Sequence, residues 1–216
     1  MMPAPAASQL EGPANGFVKG AGILGEDGPG LAKAMADATG LALTLFLSMA
    51  MVMPGIPAAV DPISGSGATG GPGLFMPPPA GGPGAQQLEG PVQGFLSGQG
   101  LRGEDAGALA KVIAATLGQA VQLFTAQAQV APGIAVAGFV TAAPGLLIPV
   151  PLASTLENLA KGFLQQNGLR GDDAPKIAQA LSQVIDLGFT MFAGQAMVSP
   201  GIACPPGASA APGRLM

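Results

Sequence analysis

The chain has no histidine, no tryptophan and no tyrosine in 216 residues, and a single cysteine, Cys204. Without histidine it loses the commonest general base and the commonest transition-metal ligand. One cysteine excludes an internal disulfide framework. Charged residues make up 9% of the chain, against about 25% in an ordinary globular domain. The eight basic side chains are scattered, with no basic stripe and no tyrosine or tryptophan to stack bases, so a nucleic-acid partner is not expected. A nucleophile, base and orienting group cannot be assembled from this set, and no enzyme is expected. Nor is there a GxxxxGK[ST] phosphate loop among the glycine-rich stretches.

What is present is one pattern written three times. Residues 88–148 and 156–216 align at a shift of 68 positions with no gap. Residues 10–76 align with the second copy at a shift of 78 from Leu10 to Ile56, then carry six extra residues before Pro72-Gly73. Residues 1–9 form an N-terminal tail, 77–87 a Pro/Gly linker and 149–155 a shorter linker. Units of about 60 residues are marginal alone, so the three are expected to pack on one another or on a partner. Glycine and proline together reach 57 residues, a level where disorder is suspected. Hydrophobic residues at 49% and a mean hydropathy of +0.48 argue the other way.

Each unit opens with a short amphipathic segment, QLEGPANGFVKG in the first copy. Ser8 and Ser154 stand three residues before Glu11 and Glu157, the spacing of a capping box. Pro13 and Pro91 limit this helix to two or three turns. A glycine hinge follows, and then the acidic pairs Glu26-Asp27, Glu104-Asp105 and Asp172-Asp173. Carboxylates there accept orphan backbone N–H groups and complement the dipole of the next helix, so these six residues are assigned to helix capping rather than to metal. Apolar residues at spacings of three and four predict long helices over 30–53, 106–131 and 174–199. Each stops at a Pro-Gly-Ile: residues 54–56, 132–134 and 200–202. A second Pro-Gly precedes Leu74, Phe75 and Met76, then Leu146, Leu147 and Ile148, then Leu215 and Met216. These are expected to be short edge strands or extended arms that reach out to neighbouring subunits, so deleting residues 214–216 should weaken assembly more than helix content. The expected fold is mainly α: three tandem helix–turn–long-helix units with short extended Pro-Gly-bounded arms, either pseudo-threefold or string-like.

The low charge and the small apolar residues point to a surface that is covered in the working state. The recurring Pro-Gly arms, the tandem copies and the composition resemble small virion and tail-like structural proteins of bacteriophages and contractile injection systems. That resemblance implies a non-enzymatic structural component of a large symmetric assembly, a virion or a tail or baseplate-like particle, with other structural proteins as partners. Neither catalytic, cofactor-binding nor metal-ligating residues are expected. Two alternatives stay open. One is a membrane-associated helical protein, supported by the apolar run 40–60 and opposed by the glutamines in its aligned copy. The other is a soluble helical adaptor that binds partner peptides. The first residues lack a basic and an apolar signal region, so no signal peptide is expected, and the chain is placed in a virion or a cytoplasmically assembled particle.

Overall fold

The computed structural model describes residues 4–77 and 82–216. Part of the N-terminal tail (1–3) and the centre of the first linker (78–81) lie outside them.

Among the described residues six helices come in three pairs of equal length. The short ones are α1 (Ala7–Gly20), α3 (Ala85–Gly98) and α5 (Ala153–Gln166), each 14 residues. The long ones are α2 (Gly28–Met49), α4 (Ala106–Gln127) and α6 (Ala174–Gln195), each 22 residues. The long helices contact one another, and each short helix packs on its own long helix and on one neighbour's: α3 on α2, α5 on α4 and α1 on α6. The short helices run longer than the prolines suggested. Pro13 and Pro91 sit at mid-helix. Burial of Leu10, Ala14 and Val18, and of Leu88, Val92 and Leu96, holds the turns together across them. The capping boxes also shift. Gln9 and Gln87, not Glu11, reach back to the backbone N–H of Ala6 and Gly84. At the third short helix the partner is Asp186 of α6, whose Oδ1 accepts from the N–H groups of Leu152 and Ala153 at 2.5 and 3.1 Å. Gly40 and Gly118 hold the aligned positions. There the helix starts at Ala7 and Ala85 lie so close that an added Cβ would come within 3.1 and 2.9 Å of their backbone nitrogens.

The expectation of a mainly α chain of helix–turn–helix units with free arms is overturned by the rest of the molecule. Each long helix ends four residues before the expected point, and the chain goes straight into strands: β1 (Met51–Val52), β5 (Gln129–Val130) and β9 (Met197–Val198). The residue before a proline disfavours the α conformation, so 53, 131 and 199, expected to be helical from the pattern, stand outside the helices. The supposed arms are strands too: β4 (Gly73–Leu74), β8 (Gly145–Ile148) and β11 (Gly213–Arg214). They join in antiparallel order β4-β5-β8-β9, with β1-β11 as a second sheet. The bridges Val52 to Phe75 and Val198 to Leu215 link the two, so the pairing runs full circle. Further from the helices, β2 (Pro57–Val60), β3 (Gly67–Thr69), β6 (Ala135–Ala137), β7 (Val140–Thr141) and β10 (Gly207–Ala208) form a curled sheet in the order β10-β2-β3-β6-β7. Its ends meet through residues 203–210: Ala203 bridges Val140, and the Ala210 N–H donates to the Ala203 carbonyl at 2.8 Å.

The order of pairing is cyclic. Strand β4 crosses to β5, β8 to β9 and β11 to β1, so the first segment engages the second, the second the third and the third the first. Neither separate units nor a string of them describes this interlock. The physical reason for the second Pro-Gly is now plain. A Cβ on Gly73, Gly145 or Gly213 would lie 2.7–2.8 Å from the Cδ1 of Ile56, Ile134 or Ile202 inside the ring. The first Pro-Gly serves the turn: Gly55, Gly133 and Gly201 have φ of +96°, +92° and +90°. The core is continuous from bundle to ring. Phe46, Phe124 and Phe192 occupy the same place on the three long helices, and Phe75 from the strands and Phe189 complete the cluster, with centroids 5.0–6.4 Å apart.

Candidate interaction surface

Along the ring strands the side chains alternate. Phe75, Leu147 and Leu215 point inward and are buried, whereas Leu74, Leu146 and Ile148 are 46%, 59% and 41% exposed. Met76 and Met216 are half-buried. The eight residues expected as short edge strands or extended arms reaching to neighbouring subunits are therefore corrected to parts of a ring paired within the chain. Their backbones pair within the chain because two-residue strands gain a full set of hydrogen bonds only from neighbours on both sides. Only their outward side chains remain for contact. Removing residues 214–216 would break β11 and unpair β1, so it would disturb the fold itself.

Charge is distributed unevenly. Of the twenty charged side chains, eighteen belong to the helices and their turns. Residues 50–77, 128–152 and 196–216, which build the β half, hold two: Asp61 and Arg214. Asp61 is engaged locally. Its Oδ1 accepts from the Ser64 N–H and hydroxyl and the Ile63 N–H, which lowers its pKa below the usual carboxylate range. Among the described residues, six of the seven large hydrophobics with high exposure are in this half: Ile63, Leu74, Phe139, Val140, Leu146 and Ile148. Residues 61–66, from the six-residue insertion of the first segment, reach over to Phe139, whose N–H donates to the Gly65 carbonyl at 3.1 Å. Phe139 has φ +64°, a left-handed conformation costly for a bulky side chain.

The acidic residues lie at the other end. Asp27, Asp105 and Asp173 stand at the N-caps of α2, α4 and α6, yet none makes a side-chain cap hydrogen bond. Backbone turns do this instead, with Gly28, Ala106 and Ala174 N–H donating to the carbonyls of Gly25, Gly103 and Gly171. Glu26, Glu104 and Asp172 are exposed beside them. What remains is complementarity to the helix dipoles. Asp173 also binds Lys176 at 2.8 Å, and this bond raises the Lys176 pKa. Asp27, Asp105 and Asp173 line one hollow of about 530 Å³ with Arg102 and Arg170. Among the described residues no group of three or more acid or cysteine side chains is placed to hold a metal ion. Asp105→Ala and Asp173→Ala are therefore each expected to cost about 0.3–1 kcal/mol, the scale of a dipole interaction at an exposed terminus. Chemical denaturation at low salt checks this, and EDTA should leave the melting temperature unmoved.

Three hydroxyls missed by the sequence reading tie the segments together. Thr69 Oγ1 accepts from the Ile134 N–H at 2.9 Å, Thr141 Oγ1 from the Ile202 N–H at 3.0 Å and Ser209 Oγ from the Ile56 N–H at 2.9 Å. All three are buried. The available signal was a hydroxyl three residues before the second proline of each copy. Nearby, Val60, Val136 and Cys204 fill the curled sheet. Burial pushes the Cys204 thiol up, and the thiolate is the reactive form. Native protein should therefore resist iodoacetamide, with alkylation appearing only as denaturant opens the sheet. Rapid native labelling, read by mass spectrometry, would contradict the closed packing.

Two of the helices, α2 and α4, are long and apolar enough to cross a membrane, and 61% and 56% of those windows are buried in the bundle. The apolar run 40–60 is not one helix: α2 ends at Met49 and strands follow. No family model matches the chain, and no characterised protein or solved structure is similar to it.

Proposed function

We propose that this chain is a non-enzymatic structural component of a large symmetric assembly, of the virion or tail and baseplate-like kind, and that it sits on a three-fold axis of that assembly. One observation carries the reading. The strand pairings and the helix contacts both pass from segment to segment in a closed cycle, so a single chain repeats nearly the same backbone framework three times. Closed symmetry is the rule in protein assemblies, and a three-fold partner matches such a framework subunit by subunit. The scarcity of charge and the exposed Leu74, Leu146 and Ile148 support a surface that is covered in use. No nucleic acid, cofactor or metal enters this reading. Burial of most of α2 and α4 in the bundle favours core helices over the membrane alternative.

The test is sedimentation of the chain from the cells that make it, followed by subunit counting. It should travel with a large particle and lie on that particle's three-fold axis in an electron-microscopy reconstruction. A chain that sediments as a free 20.9 kDa monomer under all conditions would remove the reading.

A further inference from the structure

Beyond that reading, we infer that the third segment exchanges between two copies of this chain, so that its strands close onto the first segment of a second copy. The three joints of the cycle are built alike but are not connected alike. The hydroxyl bonds that tie segment to segment, from the N–H groups of Ile134, Ile202 and Ile56, span 65, 61 and 153 positions. The first two joints lie between segments that follow each other in sequence. The third brings the last segment back to the first, with Met51 opposite Arg214, Val52 opposite Gly213 and Ala58 opposite Gly207. These pairings are recreated unchanged when the last segment comes from another copy. Exchange of an identical element in this way is a low-cost route to a dimer, and repeat proteins are prone to it.

The hinge selects the segment that moves. Strand β8 ends at Ile148 and α5 begins at Ala153, and between them stand Pro149, Val150, Pro151 and Leu152. Each proline fixes its own φ and presses the residue before it into extended backbone, so this hinge resists bending. Short hinges under such constraint invite exchange, because a straight run to a second body is no worse than the turn back onto the first. The linker between the first two segments is longer and carries Gly81, Gly82 and Gly84, so it bends freely and keeps its segments together. Leu152 is buried, and its N–H is held by Asp186 of α6, so it travels with the third segment. The interlock sets the timing. Release of one segment unpairs the strands of both its neighbours, so exchange takes place while the chain folds at high concentration, not in the native molecule.

Two full-length chains with one cysteine each test this. Both carry Cys204→Val, the residue at the aligned position of the second copy. One adds Met51→Cys and the other Arg214→Cys, at positions that face each other across β1 and β11 within reach of a disulfide. The two chains are unfolded in urea, mixed, refolded at low and high protein concentration and oxidised. At high concentration a dimer with unchanged far-UV circular dichroism should form, and a non-reducing gel should show the two different chains joined. Met51→Cys refolded with itself should give no such product. The unaltered chain, refolded alongside and sized by light scattering, should give the same dimer and guards against a fold lost to the substitutions. The paired change Pro149→Gly with Pro151→Gly should remove most of the dimer and keep the helical signal. Monomer at every concentration would overturn the inference, as would a dimer without the link between positions 51 and 214, or one indifferent to the hinge prolines. Those outcomes leave the assembly reading standing, because sedimentation from the cells that make the chain tests it separately.

Discussion

Phe124→Ala should destabilise the protein by about 3–5 kcal/mol, the largest loss expected from any single substitution here. Phe124 is fully buried, and its ring meets Phe46 at 5.7 Å, Phe75 at 6.2 Å, Phe189 at 5.0 Å and Phe192 at 6.1 Å. From α4 it thus reaches both other long helices and Phe75 of the strand ring. Two costs add. The first is the lost transfer of a benzyl group from water. The second is the cavity, which the neighbours cannot close because they are anchored on α2, on α6 and in the strand ring. A loss of that size is a large fraction of the roughly 5–15 kcal/mol that holds a folded domain. Urea denaturation followed by far-UV circular dichroism should show a lower midpoint with an unchanged slope. Leu147→Ala lies on the same inner face at the position of Phe75 but outside the aromatic contacts, and should cost less. If Phe124→Ala lost under 1.5 kcal/mol, the junction between bundle and ring would not be the tightly packed centre described.

The helix pairs were legible in the sequence, whereas of the strands only those after the second Pro-Gly were offered, as short edge strands or extended arms, for reasons that can be named. Ile177, Leu181, Val184 and Phe192 recur at helical spacing over many residues, which gives periodicity enough length to speak. Strands such as Met51–Val52 or Gly213–Arg214 are two residues long and have no period to show. Their Ala, Gly and Pro neighbours have low β propensity, so composition pointed to irregular chain. Their partners also lie far away: Ser209 meets Ile56 across 153 positions. The Pro-Gly pairs were recognised as punctuation, but what the second glycine admits, an isoleucine from inside the ring, is visible only once the ring is closed. The acidic pairs stand at the starts of the long helices, but their expected cap hydrogen bonds do not form, because the carbonyls of Gly25, Gly103 and Gly171 accept from the first helical N–H groups. Asp186 was invisible as a cap because it acts on a helix that begins 33 residues earlier.

The closed cycle also predicts how the molecule comes apart. In Thr141→Val the shape is kept and one acceptor is lost, so the Ile202 N–H becomes a buried donor with no oxygen opposite its side of the turn; about 1–3 kcal/mol should go with it. The Gly201 N–H still donates to the Thr141 carbonyl at 2.7 Å, so the turn is weakened rather than destroyed. Thr69→Val and Ser209→Ala should behave alike, because each hydroxyl holds the turn of the next segment, and the last of them closes the cycle onto Ile56. The triple variant should then lose about 3–9 kcal/mol if the sites add. Unfolding should stay a single transition with coincident helix and strand signals, since no segment keeps its strands once its neighbours are gone. Three segments that folded independently would respond differently: one substitution would split the curve and leave two-thirds of the signal at the original midpoint. Calorimetry of Thr141→Val separates these outcomes. A shifted but undivided peak fits the interlocked ring, and a divided one would mean that the cyclic pairing does not govern stability.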